Sequence, residues 1–305
     1  MKKSAFTGTG VALVTPFKKE DQSVDYEAAV SIAEKLIRDN KADSLILSGT
    51  TGEFHTMTFD ERVQLFRVIQ EAVGKKIPLI AGVGAASTIQ TIALIKKAEE
   101  LGYELVMIVA PYYAKPNQQE LYTHFKMAAE ATALQLMLYN IPIFTGVNID
   151  PDTVAKLSEI ENIVGIKEEA ELRPKQITEY VNATPDNFIV YCGDDTMILE
   201  AFAQGGATRI GGVISGGAHL IGDQIRIEIE TFLKGDIQKA AEMQQQFFRL
   251  FRIMGQNNRT NPVALLKEAM NMLGYNAGVP RLPLSAGTEE EIANVRNVMK
   301  ALSLL

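Results

Sequence analysis

The sequence of 305 residues has few cysteines and histidines, and each shortage excludes a kind of site. Cys192 is the only cysteine, so neither an internal disulfide nor a cysteine-based metal site is possible. The three histidines, His55, His124 and His219, are scattered along the chain and supply no cluster of metal ligands. We therefore predict an enzyme or binding protein without a metal site.

Long apolar runs and a basic excess are also missing. No apolar stretch is long enough to span a bilayer, and none follows the N-terminal lysines as it would in a signal peptide. The formal net charge of −7 leaves no basic stripe that could neutralise nucleic-acid phosphates. We expect a cytoplasmic protein that binds neither membrane nor nucleic acid.

Nucleotide-binding and hydrolase motifs are missing as well. The chain contains no GxxxxGK[ST] phosphate loop and no GxSxG elbow. Residues 82–87 follow an apolar run and resemble a dinucleotide turn, but no third glycine or alanine stands in register. A nicotinamide-dependent enzyme is therefore disfavoured.

Short apolar runs alternate with amphipathic segments along most of the chain. Eight runs predict strands, and their starts are about 30 residues apart, the length of one strand-plus-helix unit. They are residues 11–15, 44–47, 78–83, 105–109, 134–139, 163–167, 188–192 and 208–210. Eight such units predict a (β/α)8 TIM barrel, with a doubly wound open sheet as the competing architecture.

The strand signals stop after about residue 232, and three helical patterns follow. These cover residues 237–254, 262–273 and 289–302. We expect residues 1–232 to form the barrel that carries the active site, and residues 233–305 to form a C-terminal three-helix appendage. In a TIM barrel the active site lies at the carboxyl ends of the strands, so the candidate residues should stand there.

Lys167 ends the sixth apolar run, where core packing meets solvent. Partial burial disfavours the charged form, so we expect the pKa of Lys167 to be lowered. A lysine in that state can attack a carbonyl carbon and form a Schiff base. A structural lysine that extends its ammonium to water fits the same segment.

Other polar residues stand at neighbouring strand ends. Residues 48–53 carry two glycines around two threonines, which suits either an anion-binding turn or an ordinary turn before a helix. Tyr113 follows the fourth run and Tyr139 ends the fifth, as acid/base groups or as plugs over the core. Asp194 and Asp195 follow the seventh, and a helix-capping role is favoured over a metal site.

Taken together, these motifs resemble the dihydrodipicolinate synthase and N-acetylneuraminate lyase superfamily of Schiff-base barrels. The resemblance runs over nearly the whole chain, with the same order, spacing and strand placement. The motifs are Gly49-Thr50-Thr51-Gly52-Glu53, Pro111-Tyr112-Tyr113, Tyr139-Asn140-Ile141-Pro142, Gly165-Ile166-Lys167-Glu168, Gly193-Asp194-Asp195 and Arg281-Leu282-Pro283-Leu284.

The resemblance implies a class I aldolase that uses or releases pyruvate, with no cofactor beyond a covalent lysine imine. Lys167 would form the imine, and Tyr139 would act above it as general acid/base. Thr50 and Tyr113 would complete a proton relay, with Tyr113 lent by a neighbouring subunit of a homotetramer built as two dimers.

The same resemblance implies a set of substrate contacts. The backbone of Thr50 and Thr51, in the turn that begins at Gly49, would hold the pyruvate carboxylate. Ile210 would place a backbone carbonyl near the imine, and Gly193 belongs to the motif after the seventh strand.

One position departs from the synthase pattern. Synthases of this family carry an arginine two residues after the proline of the tyrosine motif, where it binds the carboxylate of the aldehyde substrate. Phe144 holds that place, and a phenyl ring cannot pair with a carboxylate.

The positions that resemble the lysine feedback site also differ, and that combination would not hold a cationic amino acid well. They are Phe54, His55, Phe59, Ala86 and Gln90.

We therefore favour a 2-keto-3-deoxy sugar-acid aldolase, which takes a neutral or hydroxylated aldehyde as its second substrate. The alternative within the superfamily is 4-hydroxy-tetrahydrodipicolinate synthase, which condenses pyruvate with aspartate semialdehyde. A barrel that binds a 2-keto acid without catalysis is the alternative from a different class.

Overall fold

A computed structural model describes residues 7–170 and 173–305, so positions 1–6 of the predicted barrel domain lie outside it. Within these residues eight parallel strands follow one another in chain order and close into a barrel. Helices lie between the strands, so the predicted (β/α)8 TIM barrel is confirmed and the open sheet is wrong. None of the helices in the described part of the chain is long and apolar enough to cross a membrane.

The strands are short and largely buried. They are β1 (Gly8–Ala12), β2 (Ser44–Leu47), β3 (Leu79–Gly82), β4 (Leu105–Val109), β5 (Gln135–Asn140), β6 (Ile163–Glu168), β7 (Ile189–Cys192) and β8 (Ile210–Ser215). All five residues of β4 are buried, as expected of a parallel strand covered on both faces. This is why the strands read as unbroken apolar runs in the sequence.

The helices begin and end close to their sequence signals. They are α1 (Tyr26–Arg38), α2 (Phe59–Val73), α3 (Thr88–Glu100), α4 (Gln118–Glu130), α5 (Pro142–Thr145), α6 (Pro151–Ser158), α7 (Gln176–Ala183), α8 (Ile198–Arg209), α9 (Ala218–Leu233), α10 (Ile237–Met254), α11 (Val263–Met272) and α12 (Glu289–Ala301). Thr58 and Glu61 form a capping box at the start of α2, with bonds of 3.2 and 2.9 Å.

The eighth strand begins two residues later than predicted and continues through Gly211 and Gly212, beyond the predicted end at residue 210. At Gly212 an added Cβ would lie 1.9 Å from the Gly8 carbonyl oxygen, and at Gly211 it would lie 2.6 Å from the Tyr191 ring. Both glycines let another chain segment approach closely, so they belong to the strand and do not end it.

Contacts group the chain into two compact units. One contains Pro78–Ile214, and the other contains Thr9–Ile77 with Ser215–Leu305. The three predicted C-terminal helices are confirmed as α10, α11 and α12, all in the second unit. The predicted domain boundary after residue 232 stays a prediction.

The second unit contains a buried ion pair. Lys267 Nζ lies 2.5 Å from Glu53 Oε1, and both side chains are at most 1% exposed. The same ammonium donates to the carbonyl oxygens of Thr15 and Val279 at 2.7 and 2.8 Å. The other Glu53 oxygen accepts the Arg281 backbone N–H at 2.8 Å. This network fixes the end of the turn that follows β2.

Candidate active site

Lys167 and Tyr139 are cross-strand neighbours at the carboxyl ends of β6 and β5. Both are buried, with 5% and 1% of their surface exposed. Lys167 Nζ donates to the Tyr139 hydroxyl oxygen at 3.0 Å and lies 4.2 Å from the centre of the tyrosine ring. The structure thus brings together the two residues that the sequence places at the centre of the chemistry.

Glu169 is the third member of this cluster, and the sequence interpretation did not name it. Its Oε2 atom lies 2.9 Å from Lys167 Nζ and accepts the Tyr139 hydroxyl at 2.7 Å. The spacing of two residues was the available signal, because side chains at i and i+2 of an extended chain point to the same face. Lysine, tyrosine and glutamate therefore form a closed triangle of polar contacts.

This triangle overturns the expected direction of the Lys167 pKa. Burial by itself would lower the pKa of Lys167, but the charge of Glu169 and the contacts with Tyr139 outweigh burial and raise it. Burial raises the pKa of Glu169 in turn, although the lysine charge opposes this. The resting lysine is a charged member of an ion pair, so it must lose a proton before it can act as a nucleophile.

Glu168 points to the opposite face of the strand end and serves a different purpose. Its carboxylate accepts N–H groups from Asn140 and Gln176, both at 3.0 Å, and from the backbone of Ala170 at 2.8 Å. Burial raises the pKa of Glu168 to about 7. The network ties the ends of β5 and β6 to α7, and so holds Tyr139 and Lys167 in place.

Gly193 packs directly against the lysine. An added Cβ at this position would lie 2.8 Å from Lys167 Cε and 2.9 Å from Glu169 Cβ. Asp194 accepts the backbone N–H and the hydroxyl of Thr196 at 2.8 and 2.7 Å. It therefore fixes the turn before α8, whereas the predicted role for this pair was a cap on the helix itself.

Ile210 stands at the start of β8, in register with Val190. Lys167 pairs with Tyr191, and Tyr191 pairs with Gly212. Gly212 of β8 is therefore in register with Lys167 across β7. The predicted contact between the Ile210 carbonyl and an imine stays a prediction.

Two further candidates, Tyr113 and Phe144, follow strands β4 and β5. Tyr113 follows β4, with a side chain that is 95% exposed in the single chain and a backbone φ of +73°. Phe144 lies in the short helix α5 and is 38% exposed. A positive φ is uncommon for tyrosine and is often retained at functional sites.

Gly49, Thr50 and Thr51 belong to the second unit, in the turn after β2. The Glu53 N–H donates to the Thr50 carbonyl at 3.0 Å, and the Phe54 N–H donates to that of Gly49 at 3.4 Å. Glu53 has a left-handed backbone with a φ of 54° and is anchored by Lys267. The turn is therefore shaped by a buried ion pair, which the sequence interpretation did not identify.

Among residues 7–170 and 173–305, no group of three or more histidine, cysteine, aspartate or glutamate side chains could hold a metal ion. The negative charge of Asp194 contributes to the raised pKa of Glu169.

Comparisons with known proteins agree over the whole chain. The dihydrodipicolinate synthetase family matches residues 5–302. A 4-hydroxy-tetrahydrodipicolinate synthase from Desulforudis audaxviator is 43% identical over 297 residues, which is 96% of this chain and 97% of that protein. A synthase of the same name from Desulforamulus reducens is 42% identical over 295 residues, 96% of each chain.

Solved structures give the same result. The dihydrodipicolinate synthase of Bacillus anthracis has a TM-score of 0.90 and 39% identity, covering 98% of this chain and 99% of its own. The enzyme of Cyanidioschyzon merolae, solved with lysine bound, has a TM-score of 0.92 and 38% identity, covering 99% and 100%. The chain therefore belongs to the dihydrodipicolinate synthase family of pyruvate-dependent class I aldolases, which act through a covalent lysine imine and without a metal.

Proposed function

We propose that this protein is a 4-hydroxy-tetrahydrodipicolinate synthase, which condenses pyruvate with aspartate semialdehyde through an imine on Lys167. The observation that carries the chemistry is the 3.0 Å contact between Lys167 Nζ and the Tyr139 hydroxyl. The choice of acceptor is supported by the relatives, since those at 42 and 43% identity bear this name. This reverses the preference for a sugar-acid aldolase that Phe144 suggested.

Lys167 and Tyr139 would divide the work between nucleophile and proton carrier. The lysine nitrogen attacks the keto carbon of pyruvate, and the resulting imine withdraws electrons from the neighbouring methyl group. Loss of a methyl proton then gives an enamine that adds to the aldehyde carbon. Tyr139 lies within hydrogen-bond reach of the reacting nitrogen, where it can move protons at each step.

The remaining roles follow the family pattern. Thr50 and Tyr113 would pass protons between Tyr139 and solvent, with Tyr113 contributed by a second subunit of a homotetramer. Gly49 and Thr51 would shape the turn that binds the pyruvate carboxylate. Gly193 would leave room for the imine beside Lys167, and Ile210 would supply a backbone carbonyl. The predicted failure to bind lysine at the feedback positions also stays a prediction.

The acceptor carboxylate needs a cation, and Phe144 does not supply one. Lys115 is the candidate, because its side chain lies beside Gly146, which ends the short helix that carries Phe144. An added Cβ on Gly146 would lie 3.0 Å from Lys115 Cε, and the ammonium is one bond further along. We therefore assign the carboxylate of aspartate semialdehyde to the exposed ammonium of Lys115 in place of the usual arginine.

A sugar-acid aldolase is the second candidate, and Phe144 is the observation that favours it. The phenyl ring is 38% exposed and presents no hydrogen-bond donor to an anionic acceptor. A neutral, hydroxylated aldehyde would suit such a surface better than a carboxylate.

A direct comparison of substrates tests the two candidates. We expect condensation of pyruvate with aspartate semialdehyde to be much faster than cleavage of 2-keto-3-deoxygluconate. The reverse ranking would replace the first candidate with the second. Phe144→Arg should then raise kcat/KM for the semialdehyde if that position sets the choice of acceptor.

Lys115→Met tests the assigned cation. We expect the KM for aspartate semialdehyde to rise about tenfold, as for the loss of one charge-assisted hydrogen bond, while the KM for pyruvate stays the same. Lys156→Met, an exposed lysine on α6, is the matched control. An unchanged KM in the Lys115 variant would exclude this assignment.

A further inference from the structure

We infer that Glu169 is a catalytic residue, which takes the proton from Lys167 before imine formation and returns it when water leaves. This inference rests on the proposed role of Lys167 as the residue that forms the imine. The family resemblance supplies no role for Glu169, and the geometry of this chain assigns one.

Glu169 is placed to exchange protons with both Lys167 and Tyr139. Glu169 Oε2 is within hydrogen-bond distance of both reacting groups, at 2.9 Å from Lys167 Nζ and 2.7 Å from the Tyr139 hydroxyl. A single carboxylate oxygen therefore reaches the nucleophile and the proton carrier together. Neutralising the charge of Lys167 does not require the second contact, with the Tyr139 hydroxyl, whereas moving a proton between the two groups does.

Lys167 needs a base that removes its proton. In the resting ion pair Lys167 holds a proton, and an ammonium has no lone pair with which to attack a carbonyl. The lysine side chain is only 6% exposed, so water has little access to remove that proton. Glu169 is 25% exposed and already accepts a hydrogen bond from the ammonium.

The protons balance when Glu169 acts as base and then as acid during imine formation. Glu169 takes one proton from Lys167, and the freed amine forms a C–N bond with the keto carbon of pyruvate. A second nitrogen proton passes to the former keto oxygen, which gives a carbinolamine. Glu169 then returns its proton, through Tyr139, to that hydroxyl, which leaves as water while the nitrogen lone pair forms the C=N bond. The carboxylate is thereby restored and can accept the methyl proton when the enamine forms.

Neighbouring groups support a carboxylate that exchanges protons easily. Burial raises the pKa of Glu169, and the charge of Asp194 acts in the same direction, whereas Lys167 and Tyr139 lower it. Burial raises the pKa of the nearby Cys192 thiol, and the charge of Glu169 acts in the same direction. A raised pKa lets a carboxyl group hold a proton taken from the lysine more firmly before it returns it.

Trapping the imine tests the inference without any aldehyde. The protein is mixed with pyruvate, quenched with borohydride after measured times, and the adduct on Lys167 is quantified by peptide mass spectrometry. We expect Glu169→Gln to slow adduct formation about 100-fold at neutral pH, as for the loss of one general base. Glu159→Gln, an exposed glutamate at the end of α6, is the control and should match the wild type.

The pH profile separates catalysis from structure. Wild-type adduct formation should slow as the pH falls through the pKa of Glu169, because the carboxylate must be ionised to accept the lysine proton. In Glu169→Gln the limb set by Glu169 should be replaced by one set by the pKa of Lys167. The rate should then rise with pH as Lys167 loses its proton to solvent. That loss becomes easier without the neighbouring charge.

Two further variants keep the inference testable if Glu169→Gln fails to fold. Glu169→Asp keeps a carboxylate and should retain part of the rate, and added formate should accelerate Glu169→Ala. A wild-type rate and pH profile in folded Glu169→Gln would overturn the inference and leave the imine chemistry intact. Absence of any wild-type adduct on Lys167 would instead overturn the proposed function.

Discussion

Gly193 lies so close to Lys167 that no larger residue fits between them. An added Cβ on Gly193 would stand 2.8 Å from Lys167 Cε and 2.9 Å from the Glu168 carbonyl oxygen, closer than real Cβ atoms come to their neighbours. The glycine therefore sets the position of the lysine side chain, and through it the geometry of the cluster with Tyr139 and Glu169.

Gly193→Ala should displace Lys167 and lower kcat/KM about 100-fold, since a shift of about 1 Å in a reacting group can cost that much. Steady-state kinetics measure the effect, and pyruvate trapping shows whether the imine itself is lost. Gly255→Ala is the control, because the nearest atom to an added Cβ there is 3.5 Å away. Full activity of the Gly193 variant would show that the lysine adjusts without cost.

Tyr139→Phe should lower kcat by about 10²- to 10⁴-fold, because it removes the hydroxyl that accepts from Lys167 and donates to Glu169. The ring keeps its packing, so thermal unfolding should change little. Tyr122→Phe, on the outer helix α4, is a matched control. A kcat within a few fold of the wild type would remove Tyr139 from the proton path.

The buried carboxyl of Glu168 should make stability depend on pH. Its pKa in the folded protein is about 7, above the ordinary value of 4.5, so the folded state binds its proton more tightly than the unfolded state. The contribution is full below about pH 4.5 and is lost as the pH rises through about 7. It amounts to about 3 kcal/mol at most.

Glu168→Gln removes this titration. We therefore expect the free energy of unfolding of the wild type, relative to that of the variant, to be larger at pH 5 than at pH 8. Urea unfolding at both pH values measures the difference. A gap that does not change between the two pH values would mean that Glu168 does not titrate in this range.

Lys267→Met should destabilise the protein by about 3–5 kcal/mol, because it leaves the Glu53 carboxylate buried without its cation. Lys96→Met breaks an exposed ion pair with Glu99 and should cost less than about 1 kcal/mol. Chemical unfolding of both variants gives the comparison. Similar losses in the two variants would contradict the role assigned to burial.

Much of the fold could be predicted from the sequence because its signals are local. Strands covered on both faces must be apolar along their whole length, so each one appears as a short apolar run. The carboxyl ends of such strands meet at one end of a barrel, which is why Lys167 and Tyr139 could be assigned to one site before any coordinates. The roles of Phe144 and Thr50, which the family resemblance implies, stay predictions.

The tertiary structure decided what depends on distance between residues far apart in the chain. The sequence predicts that burial lowers the pKa of Lys167, but only the fold shows that Glu169 and Tyr139 stand close enough to raise it. The register of β8 also needed the fold, because Gly211 and Gly212 interrupt a strand or complete one according to what packs against them. Electrostatic and packing energies fall steeply with separation, so the sequence could point to Lys167 and Tyr139, while only the fold could add Glu169 and give the sign of its effect on the lysine.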